Sequence, residues 1–292
     1  MSPKRKYPVL EEFSLIPRIR VPMDRRVLSM ANSLYLSSLK WKGKGKTIDV
    51  REVVTQGGVR GDLVSPIGKG TDPVHSRAIL FIHGGGFVFK AALYHRELAE
   101  RYCLGTGVPL LAVDYALSYD SPYGKPLQDC IEAYDWLSAR YSDISIVGDS
   151  AGGFLALKVA LSSGRKPSRL LLVYPVVDCS MRTPSMAEYT DTPVWDSVSN
   201  HRMWEYYLQG NAEESLLDGD LSGLPPTRIE TAQYDCLHDE AVLLAGKLQE
   251  SSVPVTLIQT QGTVHGYDIV MGSALVQSCI EERIKFLLNG VQ

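Results

Sequence analysis

Residues 144–157 read I-S-I-V-G-D-S-A-G-G-F-L-A-L. Ile144 to Gly148 is a short Ile- and Val-rich run, the pattern of a strand buried in a parallel sheet. An Ala- and Leu-rich segment, Ala151 to Ser162, has the composition of a helix and begins directly after Asp149-Ser150. A chain that passes from buried strand to helix across those two residues must turn sharply. Gly148 and Gly152 then stand where side chains have no room. G-x-S-x-G at a strand-to-helix junction is the arrangement of a nucleophile elbow, which lifts the serine above the sheet. Ser150 would lie at the amino end of a helix, where the dipole and the N–H of Ala151 favour negative charge.

Outward from this junction, short apolar runs alternate with segments of helical period. Strands are expected at Arg77 to Ile82, Pro109 to Tyr115, Leu170 to Tyr174, Ile229 to Tyr234 and Val255 to Gln259. Helices are expected over 93–104, 126–139, 239–250 and 273–288. Such alternation implies an α/β class with a mostly parallel central sheet and helices on both faces. Residues 47–55 and 59–67 read as an edge hairpin turning at Gly57-Gly58. Two regions fall outside the alternation. Residues 1–46 hold a helix from Asp24 to Leu39 and are expected to form an N-terminal cap segment. The catalytic domain is then 47–292, interrupted at about 180–222 by a cap insertion with an aromatic helix around Met203, Trp204, Tyr206 and Tyr207.

The 292 residues, 45% of them apolar, suit one large α/β domain with insertions or two small domains. A net charge of -3 and a pI near 6.1 give no electrostatic pull toward nucleic acid or anionic lipid. The longest basic cluster, Lys40 to Lys46, reads as a solvated Gly/Lys linker and not a phosphate-binding patch. Cys103, Cys130, Cys179, Cys236 and Cys279 are dispersed without a C-x-x-C pair, which favours free thiols in a reducing compartment. No stretch approaches the ~18 apolar residues of a bilayer span. The basic M-S-P-K-R-K-Y-P at the amino end leads into no apolar run. The expectation is a soluble cytoplasmic protein with neither nucleic-acid partners nor stable membrane association. Oligomeric state is not legible, and a homodimer stays open.

His83-Gly84-Gly85-Gly86 follows the strand 77–82 directly. Consecutive glycines let backbone N–H groups face a cavity, which is how an oxyanion hole is built. A flexible turn is the plainer alternative. A phosphate loop would need Lys and Ser/Thr next, and Phe87-Val88-Phe89 stands there instead. An activated serine needs a base, and the base needs a carboxylate behind it. Of the six histidines, His83 is in the glycine loop, His75 and His201 fall in loop or cap, His95 is inside a helix and His238 starts one. His265, in T-V-H-G-Y, follows a late strand, and Asp235 ends the strand before it. Nucleophile, acid, histidine is the chain order such a sheet requires.

H-G-G-G-F-V at 83–88, G-D-S-A-G-G at 148–153, D-C-L-H-D-E at 235–240 and H-G-Y at 265–267 resemble the hormone-sensitive-lipase-like esterases. The likeness spans roughly residues 75–290. It implies the α/β-hydrolase fold, with Ser150, Asp235 and His265 in the triad positions and the N–H groups of Gly85, Gly86 and Ala151 at the oxyanion hole. His83, with Gly84 and Asp149 beside the site, would be structural. The chain departs from the family at Asp114 to Asp120, where D-Y-A-L-S-Y-D replaces D-Y-R-L-A-P-E and the loop loses its arginine. D-C-L replaces D-P-L at 235–237, and Phe154 replaces a common Asn.

The expected chemistry is hydrolysis of short- to medium-chain carboxylic esters through an acyl-enzyme, without metal or organic cofactor and with a small-molecule ester as partner. Phe87, Val88, Phe154 and Trp204 are the expected pocket residues, and a mean hydropathy of -0.05 suggests no broad apolar surface for fats. An amidase, arylformamidase or biosynthetic thioesterase would use the same triad. A ligand-binding pseudoenzyme, known among relatives that lost the histidine, is disfavoured by the presence of His265.

Overall fold

The computed structural model describes residues 6–18, 20, 22–38, 47–67, 76–213 and 215–290, with side chains left out at 34–38. The basic Lys40 to Lys46 linker, His75 and the expected helix end at Leu39 lie outside the described residues, as do the side chains of Leu34 and Tyr35. The strands are β1 (Ile48–Val54), β2 (Arg60–Pro66), β3 (Arg77–Ile82), β4 (Leu110–Asp114), β5 (Asp143–Asp149), β6 (Arg169–Val173), β7 (Thr227–Tyr234) and β8 (Val255–Val264). They form one sheet in the order β1-β2-β4-β3-β5-β6-β7-β8. The β1–β2 hairpin and its junction with β4 are antiparallel, and every other pairing is parallel. The expected α/β class is therefore the observed one.

The helices are α1 (Arg25–Ser38), α2 (Leu93–Thr106), α3 (Lys125–Ser138), α4 (Ala151–Ser162), α5 (Pro184–Glu188), α6 (Ser197–Leu208), α7 (His238–Glu250) and α8 (Ala274–Asn289). Alternation along the strands divides the core. Ala78, Leu80 and Ile82 of β3 join Ile144, Ile146, Leu170 and Leu172 against α3, α4 and α7. Ile79 and Phe81 face the other way, with Val147 and Leu171, against α2 and α8. Both faces are covered, so the central strands have no polar side to show and read as unbroken apolar runs. Helix α4 lies almost wholly inside, which explains its apolar residues all round.

Two details differ from the sequence expectations. Strand β8 continues to Val264, five residues past Gln259, through T-Q-G-T-V. Polar residues and Gly262 at φ 66° read as a strand's end, but the ladder resumes after an irregularity opposite Ala232 and Tyr234. The loop that lacks the family's arginine is held by other groups. Ala116 N–H donates to buried Asp129 at 2.8 Å, the Tyr115 hydroxyl donates to the His83 carbonyl at 2.8 Å, and Ser118 N–H donates to the Phe87 carbonyl at 2.8 Å.

Candidate active site

Strand β5 ends on Asp149 and α4 starts on Ala151, so Ser150 alone makes the turn, at φ 53° and ψ -124°. A residue with a Cβ avoids that conformation unless its surroundings enforce it. Here its N–H donates to the Val173 carbonyl at 2.9 Å, and its own carbonyl accepts from Gly153 at 2.9 Å and Val176 at 3.0 Å. A Cβ on Gly152 would sit 2.0 Å from the Ile82 carbonyl oxygen, and one on Gly148 2.3 Å from that of Gly152. The turn closes only because both are glycine.

Asp235 stands one residue past β7 and His265 one residue past β8, so adjacent parallel strands deliver both to the edge where Ser150 emerges. His265 Nε2 is 2.9 Å from Ser150 Oγ, and His265 Nδ1 is 2.7 Å from Asp235 Oδ2. A carboxylate only accepts, so the ring proton is on Nδ1 and the Nε2 lone pair faces the serine hydroxyl. Leu237 N–H holds the other Asp235 oxygen at 3.0 Å. Asp235 is fully buried, and Ser150 and His265 keep 5% and 4% of their surface.

The glycine loop packs directly on the elbow. A Cβ on Gly84 would lie 3.0 Å from Ser150 Cβ and 2.4 Å from Asp149 Oδ2. Gly84 N–H donates to Asp149 Oδ1 at 3.0 Å. The other carboxylate oxygen meets His95 Nε2 at 3.1 Å, while His95 Nδ1 accepts from Ala92 N–H at 2.6 Å, which puts the His95 proton on Nε2. Burial alone would push the Asp149 carboxyl up, but His95 and the Gly84 N–H outweigh it and hold it below the usual range. His83 does not reach Ser150. Its ring stacks on Tyr115 at 4.4 Å, its Nδ1 donates to the Gly84 carbonyl at 2.6 Å, and burial with His95 nearby pushes its pKa down to about 4.

The sequence profile of the α/β-hydrolase fold family matches residues 79–269, a span holding the glycine loop, the elbow, Asp235 and His265. The chain belongs to this family. Esterase LipI of Mycobacterium tuberculosis is 31% identical over 215 residues, covering 67% of each chain. The ethyl acetate hydrolase of Pseudomonas putida is 29% identical over 233 residues, 74% of this chain and 72% of its own. Among solved structures, a bacterial heroin esterase shares the fold with a TM-score of 0.82 at 24% identity over 98% of both chains. EstE5 does so with a TM-score of 0.79 at 25% identity over 96% of this chain and 95% of its own. These likenesses bear out the resemblance to hormone-sensitive-lipase-like esterases.

In this α/β-hydrolase the four expected pocket residues are all buried. Phe87, Phe154 and Trp204 form one aromatic cluster with Tyr207, their ring centroids 4.4 to 5.9 Å apart. Among the described residues the Trp204 indole N–H has no partner. Val88 is joined through its carbonyl to α1. Trp195, not among the expected pocket residues, stands beside His265. Its ring centroid is 6.3 Å from that of His265, and a Cβ on Gly86 would fall 2.5 Å from its Cη2. A cavity of about 700 Å³ opens in the insertion, bordered by Met186, Val198, Arg182 and Arg202, and none of Ser150, Asp235 or His265 lines it.

Sequence reading also passed over what stands behind His265. The Tyr174 ring packs against the imidazole at 4.7 Å, and its hydroxyl donates to Asp268 at 2.9 Å. Arg283, fully buried, binds Asp268 at 3.0 Å, Glu230 at 2.8 Å and the Tyr267 hydroxyl at 2.9 Å. Burial raises the Asp268 carboxyl; for Glu230 it is overcome by Arg283 and Arg228, which hold that carboxyl low. One signal was available. Arg283 occupies the buried stripe of α8 that otherwise reads Val276, Cys279, Ile280, Phe286 and Leu287. Among the described residues no group of three His, Cys, Asp or Glu side chains is arranged to hold a metal ion.

Proposed function

We propose that this ester hydrolase cleaves short- to medium-chain carboxylic esters through an acyl-enzyme on Ser150, with His265 as base and Asp235 as the orienting carboxylate. The observation that carries this reading is the unbroken hydrogen-bonded chain from Asp235 through His265 to Ser150 Oγ. Ser150 Oγ attacks the ester carbonyl as His265 Nε2 takes its proton; the imidazolium then protonates the departing alcohol. Water enters by the same route in reverse and releases the acid. The N–H groups of Gly85, Gly86 and Ala151 hold the oxyanion, each contributing about 3 kcal/mol of transition-state stabilisation.

The preference for modest acyl groups is supported by the buried rings of Phe87, Phe154, Trp204 and Tyr207 beside the glycine loop, and by Trp195 lying over Gly86. A relative named for ethyl acetate is consistent with it. Residues 1–46 and 180–222 act together as the cover. Arg20 pairs with Asp196 at 2.6 Å and the Tyr206 hydroxyl donates to the Met23 carbonyl at 2.6 Å. Five dispersed free cysteines support a cytoplasmic location, and no described helix is long and apolar enough to cross a membrane.

The test is hydrolysis of aryl esters of graded acyl length, with an aryl formamide and an acyl thioester in the same screen. Ser150→Ala and His265→Ala should each lower kcat by about five to six orders of magnitude, and combining them should cost little more. Asp235→Asn should lower it by about 10⁴, by fixing the wrong tautomer. Near wild-type turnover by His265→Ala, or faster cleavage of the formamide or thioester than of every ester, would refute this reading.

A further inference from the structure

The glycine loop runs at positive φ, with Gly85 at φ 112°, Gly86 at φ 59° and Phe87 at φ 58°, and at Phe87, which carries a Cβ, that conformation is strained. Such a run persists only where surrounding bonds over-determine it. On the amino side the sheet and elbow hold it, through Tyr115 on the His83 carbonyl and Asp149 on Gly84 N–H. Inside the loop, Val88 and Phe89 N–H both donate to the Gly85 carbonyl, at 3.1 and 2.9 Å, folding 85–89 into one tight unit. Whatever fixes Val88 to Lys90 therefore fixes Gly85 and Gly86 as well.

Ser118 N–H on the Phe87 carbonyl and Asp114 on the Lys90 side chain hold part of this stretch, and the backbone of Val88 and Lys90 is held from the other end of the chain. Asn32, 4% exposed on α1, donates through Nδ2 to the Val88 carbonyl at 2.9 Å and accepts from Lys90 N–H through Oδ1 at 2.9 Å. One amide pairs with both backbone groups flanking Phe89, as a neighbouring strand would. The same Nδ2 also reaches the Leu28 carbonyl one helical turn back, at 2.9 Å, which locks the side chain to its own helix. Asparagine is a poor residue for a helix interior, so packing of α1 alone would be served better by an apolar side chain.

We infer that Asn32 is a positioning residue for ester hydrolysis: it sets the turn that carries the oxyanion donors, and so ties the N-terminal segment to transition-state stabilisation. This rests on reading Gly85 and Gly86 as those donors. The N-terminal segment then acts on the chemical step as well as on access to the site.

The full-length Asn32→Leu variant, similar in volume and unable to make either bond, is compared with wild type on the smallest ester turned over. Displacing donors by a fraction of an ångström to one ångström should lower kcat by about 10- to 100-fold. KM should stay within about threefold, and binding of an aryl trifluoromethyl ketone, which forms a tetrahedral adduct with the serine, should weaken by the same factor as kcat. Asn32→Asp, which keeps the acceptor for Lys90 N–H but loses the donor to Val88, should fall between the two and decides the matter if Asn32→Leu does not fold. A kcat within twofold of wild type with unchanged ketone affinity, or a change confined to KM, overturns the role. Ser150→Ala run alongside separates the two ideas. If it still turns over ester the acyl-enzyme reading fails, whereas an inactive Ser150→Ala with unimpaired Asn32 variants overturns only the positioning role.

Discussion

Behind His265, Arg283 is bound to Glu230 and Asp268 with every one of these side chains fully buried. Across the site, the N-terminal segment meets the insertion through Lys6 with Asp191, both about half exposed, and through Arg20, 47% exposed, with the buried Asp196. The first set sits where no water can replace a lost partner, so it has one arrangement or none. In the second, Lys6, Asp191 and Arg20 stay within reach of solvent, which competes for these charges and lowers what each pair contributes. The contrast separates a platform of dry, paired charges behind His265 from a partly solvated seam in the proposed cover.

Arg283→Met is the most severe way to break this comparison. It leaves Asp268 and Glu230 facing each other across a dry site, and should cost about 3–5 kcal/mol in urea unfolding at pH 7. A loss below about 1 kcal/mol would mean that the platform does not depend on its buried charges. His83 sharpens the comparison at the loop between the two regions. Its folded-state pKa of about 4 lies below the ordinary 6.5, so the unfolded chain binds the proton first. The part of stability linked to His83 should be full above about pH 6.5, decline as pH falls toward about 4, and then level, for a loss on the order of 3 kcal/mol. His83→Gln should remove that part of the slope, and unfolding curves unaltered across this interval would show that burial of His83 is not what sets it. The smallest effect is expected from Arg20→Ala, within about 1 kcal/mol of wild-type stability. A larger loss in the same unfolding assay would make the cover part of the platform.

Strands that later proved central were legible because burial on both faces leaves them continuously apolar, as in Ile79 to Ile82 and Leu170 to Val173. The serine elbow was legible because two glycines and a helix start compress its geometry into a few adjacent residues. Pairings across the chain were not. Asn32 and Val88 are 56 positions apart, Arg283 and Glu230 53, and Arg283 and Tyr102 181. The family's missing loop arginine offered no hint that Asp129 would take over from the next helix.

The local pattern by itself determined the α/β order, the position of Ser150 at a strand end, and which carboxylate and histidine follow it in the chain. The first two depend on periodicity and near-neighbour sterics, which are written along the backbone, and the third on the order in which such a sheet places its acid and histidine. Tertiary structure alone decided that Trp195 lies over Gly86, that Phe13 of the N-terminal segment is buried against the face formed by α2 and α8, and that Asn32 grips the glycine loop. Those contacts join segments far apart in sequence, and a polar or aromatic side chain carries no local sign of which distant group will satisfy it once water is excluded.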